Sequence, residues 1–394
     1  MALPLSYHWR NLFVRKNTTI LTVLVIAAVV GVFTWMIGFR GAVNQSLSVA
    51  GEERKIIVLK KGATAESNSA IPIDEYNKLG QLNSVEKNPA TGQPRFSPEM
   101  IIQVSLPRLA DGGMTFANVA VRGVTDDAFV VHSNVKELGT RFSVAEREVI
   151  VGVAASKQFG GLNIGDIVNI GFGGDRGYKV VGYFSADGGP MESEIWGYLP
   201  SLMNAYNRTM YSSVSLRLTP DADPKEVIAQ IEGPAIQLTG KTEKDYWKEQ
   251  TKLTQIYLFV TGALVAVMSI AAVFAIANTM YAVVAGRTRE IAMLRTIGFD
   301  GYTILRGLIL ESVMVSLMGG IIGCLGCAAW LEIAGNTKDM FGATTFTTMA
   351  FEIHLTPVIV VAAMIMVTLL GVVGALMPGL RAARLEVLTA LREA

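Results

Sequence analysis

The residues that could carry chemistry include one pair of cysteines. Cys324 and Cys327 have the Cys-x-x-Cys spacing that is typical of redox and metal-binding thiols. Such chemistry needs an aqueous, oriented site, whereas both cysteines lie in a long apolar run that is rich in glycine. We therefore interpret Cys324 as one member of a stripe of small residues, spaced four apart, that lets another helix approach closely. The other members are Ser312, Ser316 and Gly320.

Motifs for nucleotides and metals are missing from the sequence. The glycine-rich segment 171–177 lacks the spacing of a dinucleotide fingerprint and lies between two predicted strands, which favours a hairpin loop over a phosphate-binding loop. No Gly-x-x-x-x-Gly-Lys-Ser/Thr motif occurs. His8, His132 and His354 each stand apart from any cluster of ligands, so we expect neither a metal site nor a hydrolase. We expect no catalytic residue and no cofactor on this chain. If ATP drives it, another polypeptide must bind the ATP and magnesium.

Long uncharged runs indicate a membrane protein. The 394 residues are 51% hydrophobic and 17% charged, which is too apolar for a soluble globular chain. Four runs are long enough to cross a bilayer core of about 30 Å, at residues 17–39, 253–286, 307–331 and 355–380. The single charged residue within them is Glu311. An intramembrane carboxylate is costly and is a functional candidate by default, unless it lies near enough to the interface to stay solvated.

Basic residues are distributed unevenly between the two ends of these runs. Arginine and lysine are concentrated in the first 16 residues, between the second and third runs, and after the fourth run. By the positive-inside rule both termini and the central segment are cytoplasmic, and residues 40–252 face outward. The first 16 residues also have the spacing of an amphipathic helix in the inner interface, with a disordered basic start as the alternative.

The sequence pattern of the outward-facing residues predicts a mixed α/β (α+β) domain on a two-helix stalk. Short β-rich runs alternate with turn signals and a few helical patterns. A proline-rich passage at 88–98 indicates a membrane-proximal subdomain at about 52–95 and 205–240, with an inserted lobe at about 96–204. The expected order is an amphipathic helix (1–16), the first span and stalk (17–51), the outer domain (52–240), the second stalk helix and span (241–286), a coupling helix (287–300), the third span (301–331), an outer loop (332–354), the fourth span (355–380) and a cytoplasmic tail (381–394).

A short basic segment between the second and third spans has the pattern of a helix. Ile291, Leu294, Ile297 and Gly298 share one face of that helix, whereas Thr296 lies on the opposite face. The apolar strip could dock into a groove of a soluble partner. The alternative is that these residues pack under the neighbouring spans as a tight cytoplasmic turn.

This segment resembles the loop between the second and third spans of MacB/FtsX-type ABC permeases. In that family an Arg-Thr-Arg-Glu run is followed by an aliphatic residue and then by arginine, an aliphatic residue and glycine. The matching positions here are Arg287, Arg289, Glu290, Ile291, Leu294, Arg295, Ile297 and Gly298. The tail at 380–392 resembles the terminal signature of the family, segments 121–124 and 148–152 resemble its periplasmic core domain, and a glutamate near position 311 is typical of it.

The resemblance implies a permease subunit of an ABC transporter of the MacB/FtsX/LolC superfamily, in the inner membrane of a bacterium. The implied partners are a separate ABC ATPase, a second permease protomer, a periplasmic adaptor and the lipid bilayer, but no nucleic acid. Four spans with few polar side chains offer no aqueous path, which favours mechanical transmission. Export of a drug or peptide, extraction of a lipid or lipoprotein, FtsX-like control of a cell-wall hydrolase, and a non-ABC receptor all stay open.

Overall fold

The computed structural model describes residues 16–50, 52–89, 91–109, 112–144, 146–171, 176–250, 252–333, 353 and 355–384. These residues form two compact units. The helical unit contains residues 16–41, 254–333 and 353–384 of the described chain, and the sheet unit contains residues 42–253. The predicted helix at 1–16, nearly all of the predicted outer loop and the tail beyond residue 384 lie outside the described residues.

Four of the helices are long and apolar enough to cross a membrane, namely α1, α8, α10 and α11. In chain order the helices are α1 (Lys16–Ala50), α2 (Ile73–Lys78), α3 (Ala128–Val131), α4 (Val153–Gln158), α5 (Leu199–Ala205), α6 (Pro224–Glu232), α7 (Glu243–Gln250), α8 (Lys252–Ala285), α9 (Thr288–Thr296), α10 (Gly301–Ile333) and α11 (Pro357–Ala383). The predicted fold class, four apolar helices and a mixed α/β domain, is confirmed.

The last helix extends beyond the end that its sequence suggested. The fourth run ends at residue 380, whereas α11 continues past it to Ala383 and contains Pro378 in its interior. A proline inside a helix removes one hydrogen bond, a loss that membrane helices tolerate when neighbouring helices hold the backbone in place. Gly379 and Ala382 are buried against α10, which holds this last turn of α11. The first residues of the predicted tail therefore belong to α11.

The sheet unit contains one mixed sheet of ten strands. In chain order the strands are β1 (Lys55–Leu59), β2 (Phe96–Pro107), β3 (Phe116–Val124), β4 (Lys136–Gly139), β5 (Glu148–Gly152), β6 (Ile167–Ile170), β7 (Arg176–Ser185), β8 (Glu194–Tyr198), β9 (Ser213–Arg217) and β10 (Thr239–Thr242). The strand order is β10-β1-β9-β2-β3-β8-β5-β7-β4, with β6 paired to β7. β3 runs parallel to β8 and β5 runs parallel to β7, whereas the other neighbours are antiparallel.

The long strand β2 connects two parts of this sheet. Its first residues, Phe96–Glu99, pair with β9, and its remaining residues, from Met100 onward, pair with β3. One apolar cluster packs on the β1 and β9 side, and a second packs on the strands from β3 to β7. β2 therefore changes its partner strand at Glu99 and Met100, between the two apolar clusters.

The strand β1 shows why the sheet unit has apolar layers on both sides. All five of its residues are buried, and successive side chains point to opposite faces. Ile56 and Val58 pack in the cluster with β9 and α6, whereas Ile57 and Leu59 pack against Tyr246 and Trp247 of α7. The short helix α7 thus covers one face of β1.

Candidate functional site

The candidate coupling segment forms the helix α9 between the spans α8 and α10. Arg287, just before the helix, has a non-helical backbone, and its carbonyl accepts the first helical bond, from the amide of Ile291. At the other end Gly298 adopts a left-handed conformation with φ of 107°. Its amide and that of Phe299 donate to the carbonyls of Arg295 and Leu294, which caps the last turn. Glycine adopts this conformation without strain.

The predicted apolar strip of α9 is not one exposed face. Ile291 and Ala292 are buried in the helical unit, where Ile291 packs with residues of α8, α10 and α11. Leu294 is half-buried, whereas the Ile297 side chain is 76% exposed and Gly298 is also exposed. The neighbouring spans therefore cover Ile291, as the alternative of a tight cytoplasmic turn expects, whereas Ile297 is exposed. Docking of this helix to a partner stays a prediction.

Two arginines tie α9 to the neighbouring spans. The Arg287 Nη1 atom lies 3.3 Å from the Glu311 Oε2 atom on α10, and its Nε donates to the Oε2 of Glu290 at 2.9 Å. The Arg295 Nη1 atom donates to the backbone carbonyl of Ala383, at the end of α11, at 3.0 Å. Both ends of α9 are therefore held by polar contacts, one to each of two spans.

Glu311 has an ion-pair partner. Its side chain is 4% exposed, so the protein itself covers most of the carboxylate. A buried carboxylate is stabilised when a cation lies beside it. Arg287 supplies that cation from outside α10, so the pair links the start of α9 to a position ten residues into α10.

The small-residue stripe of α10 lies mostly against α11. Ser312 Oγ donates to the carbonyl of Gly371 at 2.8 Å. A Cβ on Gly320 would lie 2.9 Å from a methyl of Val367, and a Cβ on Gly371 would lie 2.6 Å from Ser316 Oγ. Only small residues permit so close an approach of two helices.

The other side of α10 meets α1 through glycines that the predicted stripe did not include. A Cβ on Gly319 would lie 2.7 Å from Ile26, and one on Gly323 would lie 2.5 Å from the carbonyl of Ala27. Cys324 also faces α1, with its Sγ 3.8 Å from Thr34 Oγ1. The glycine spacing in this run could have indicated the second face. Cys324 and Cys327 are buried free thiols.

Within the described residues, no group of three or more histidine, cysteine, aspartate or glutamate side chains is arranged to hold a metal ion. The glycine-rich segment is described only at its ends, since residues 172–175 lie outside the described chain. On either side of it β6 and β7 pair antiparallel, with Ile170 opposite Arg176.

Family models match most of the chain. Residues 18–233 match the MacB-like periplasmic core domain, and residues 262–387 match the FtsX-like permease C-terminal domain. The first match alone covers more than half of the 394 residues. The chain belongs to the MacB/FtsX-like family of ABC permeases. The predicted family is thereby confirmed, and α9, α10 and α11 lie within the FtsX-like part.

Curated relatives of this MacB/FtsX-like permease are longer proteins. The macrolide export ATP-binding/permease protein MacB of Agrobacterium fabrum is 24% identical over 341 residues, which cover 80% of this chain and 50% of that protein. The pyoverdine export ATP-binding/permease protein PvdT of Pseudomonas entomophila is 25% identical over 425 residues, covering 99% and 60%. MacB 1 of Yersinia pestis is 26% identical, covering 97% and 59%. The chain thus spans about half to three fifths of these relatives and matches their permease portion.

Two solved structures align with part of the MacB/FtsX-like permease. The periplasmic region of MacB from Actinobacillus actinomycetemcomitans aligns with a TM-score of 0.37 at 13% identity, over 53% of this chain and 98% of that one. The extracellular domain of the ABC-type transporter YknZ from Gram-positive bacteria aligns with a TM-score of 0.32 at 15% identity, over 44% and 88%.

Proposed function

We propose that α9 receives motion from an ATPase and that this chain is the membrane-spanning part of an ABC transporter. The observation that carries the proposal is the way α9 is held. Its inward side is buried and both its ends are tied to spans, through Glu311 and through the carbonyl of Ala383. A force on such a helix is passed to α10 and α11, because α9 cannot move far without breaking these contacts.

The outward side of α9 offers an apolar contact to a partner. Met293 is 47% exposed and Ile297 is 76% exposed. Large apolar side chains at the end of a short helix between two spans suit a shallow groove on a soluble protein. We infer that this soluble partner is an ATPase. The partner would bind the ATP and magnesium, since no phosphate-loop motif occurs in these 394 residues.

The transported substrate is inferred from the relatives. Their names include macrolide export and pyoverdine export, so we infer export of a compound, with the sheet unit on the outer side of a bacterial inner membrane. The arginine and lysine distribution supports cytoplasmic termini. Of the four long helices, α8 is the least buried in the helical unit, which leaves an apolar surface for a second permease protomer or for lipid. A periplasmic adaptor would complete the proposed assembly.

Site-specific photo-crosslinking tests the proposal in native membranes. A benzoylphenylalanine at Ile297 should capture one protein of ATPase size that carries a phosphate-loop motif, identified by mass spectrometry. The matched control is the same probe at Val130, which is 42% exposed in the sheet unit and should not capture that protein. Capture of the ATPase from both positions, or from neither, would contradict the proposal.

A further inference from the structure

The sheet unit contains a buried cluster of ionisable side chains that the sequence pattern did not indicate. Its carboxylates are Glu66, Glu99, Glu194 and Glu243, and its bases are Lys55, Arg122 and His132. None of them is more than 4% exposed. A buried ion pair contributes little net stability, because desolvation costs several kcal/mol per ion, so a cluster of this size calls for another explanation.

One half of the cluster is centred on Arg122. Its guanidinium contacts Glu194 through Nε at 2.7 Å and through Nη2 at 2.8 Å. It also reaches Glu66 at 3.0 Å and contacts Glu99. Ser213 Oγ donates to Glu66, and Trp196 Nε1 donates to Glu194, so these carboxylates have further donors. This half is well satisfied and contains a base that stays protonated.

The other half is a chain of contacts that begins on α7. Glu243, the first residue of α7, accepts from Lys55 Nζ on β1 at 2.7 Å. Lys55 Nζ also contacts His132 Nδ1, and His132 Nε2 lies 2.6 Å from Glu99 Oε1 on β2. The chain therefore runs from α7 through β1 and the end of α3 to the point where β2 changes its partner strand.

These contacts assign the proton positions on His132. The ammonium of Lys55 can only donate, so Nδ1 accepts and carries no proton. Nε2 then carries the proton and donates to Glu99. His132 is thus neutral in this arrangement. The contact depends on one proton of Lys55 Nζ that points at His132 Nδ1. A second proton, on Nδ1, would turn His132 into a cation whose N–H faces the ammonium of Lys55.

Other groups around His132 do not take up this second proton in mild acid. Burial would raise the pKa of Glu99, but His132, Arg122 and Lys55 overcome it and hold the pKa far below its usual range. Because this pKa is depressed on folding, Glu99 contributes stability above its ordinary pKa of 4.5 and loses it only as the pH falls through the folded value. Burial raises the pKa of Tyr246, so its hydroxyl stays neutral. The other charged groups of the cluster are Glu243 from α7, which pairs with Lys55, and Arg122 from β3, which contacts Glu99. Arg122 also binds Glu66, from the turn after β1, and Glu194 from β8.

We propose that the Lys55–His132 contact is a proton-controlled latch that holds α7 and β1 to the β2–β3 part of the sheet. Neutral His132 keeps the latch closed. When His132 takes up a proton, Lys55 keeps its pair with Glu243 and His132 keeps its pair with Glu99, but the two cations repel each other and separate. The contact that breaks is therefore the one between Lys55 and His132, while both ion pairs stay formed. Acid outside the membrane would then loosen α7, the helix that precedes the span α8 in the chain.

Hydrogen exchange of the full chain in lipid nanodiscs tests the latch without any ATPase, so its failure is separate from failure of the proposed coupling. Wild-type peptides that cover β1 and α7 should exchange faster at about pH 5.5 than at about pH 7.5, after correction for intrinsic rates. The increase should be about tenfold or more, since an opening equilibrium linked to one proton changes about tenfold per pH unit. Peptides that cover α6 should not change.

Two variants make the test specific. His132→Gln keeps an amide that can accept from Lys55 and donate to Glu99 but does not titrate, so the acid-dependent exchange should disappear. Lys55→Met removes the opposing cation and should also abolish the acid response, even if its baseline exchange is faster. An unchanged wild-type exchange rate in acid, an equal change in α6, or an acid response that persists in either variant would overturn the latch.

Discussion

At the scale of single residues, the ion pair with Arg287 explains how the carboxylate of Glu311 is stabilised within an apolar helix. Glu311 lies inside the first third of α10, where an uncompensated charge would be costly. Its partner Arg287 comes from the N-terminal boundary of α9 and is 18% exposed, so part of that guanidinium still reaches polar surroundings. The pair therefore stabilises Glu311 and also restrains α9.

The change Glu311→Gln should destabilise the isolated chain. It removes the carboxylate and leaves Arg287 with Glu290 as a more exposed partner, so we expect a loss of about 1–3 kcal/mol. The matched control is Glu290→Gln, whose side chain is 55% exposed and should cost less than about 1 kcal/mol. Melting in detergent measures both changes, and equal losses would show that Glu311 has no special role.

At the scale of elements, the close contact of α10 with α11 depends on small residues on both helices. Val367 and Met364 of α11 fill the space beside Gly320, and Ser316 fills the space beside Gly371. Van der Waals contact and the Ser312 hydrogen bond replace the hydrophobic effect as the source of packing energy between helices in lipid. The element is therefore sensitive to added side-chain volume at defined positions.

The change Gly320→Leu should separate α10 from α11. The new Cβ alone would lie within 2.9 Å of Val367, so overpacking should cost about 1–3 kcal/mol. Gly326 lies on the same helix with nothing within 4 Å of its Cβ position, so Gly326→Leu should leave the melting temperature nearly unchanged. If the two variants melt alike, the close approach is not what stabilises this pair.

The helix α9 has an inward and an outward apolar residue, which allows binding and stability to be separated. If α9 docks on an ATPase as proposed, Ile297→Asp should abolish that association, because it would place a carboxylate in an apolar contact, while the isolated chain melts as before. Ile291→Asp should lower the melting temperature of the isolated chain, because Ile291 packs against α8, α10 and α11.

The control for these α9 variants is Thr296→Asp, an exposed position that should affect neither binding nor melting. The measurements are a pull-down of the ATPase and a melting curve of the permease. Retained binding by Ile297→Asp would contradict a docking role for the outward side of α9.

At the scale of the whole molecule, the four long apolar helices and the charge distribution predict an orientation. If the four apolar helices of the described residues all cross the membrane, both ends of the chain lie on one side, and the arginine and lysine distribution predicts that this side is the cytoplasm. The sheet unit is inserted between the first and second spans, so it must then lie on the opposite side.

Cysteine labelling in intact cells tests this orientation in a variant without native cysteines. Met114→Cys, at a position that is 83% exposed in the sheet unit, should react with an impermeant maleimide. Thr296→Cys, at an exposed position on α9, should react only after the cells are permeabilised. The reverse pattern would invert the topology and contradict the proposed ATPase contact.

Uncharged length and motif spacing are properties of contiguous residues, so the sequence by itself determined the four long apolar helices and the family. That Gly298 ends α9 came from the structure. The sequence could place Ile291 and Ile297 on one helical face but could not show which of them a neighbouring span covers, because that depends on how α8, α10 and α11 pack. The sequence also could not predict that ionisable residues of the sheet unit are buried together, since Lys55 and Glu243, which form an ion pair, are 188 residues apart. An isolated lysine or glutamate in a sequence is usually a solvated side chain. Only the sheet order, which brings β1, β2, β3 and β8 together beside α7, makes these residues buried partners.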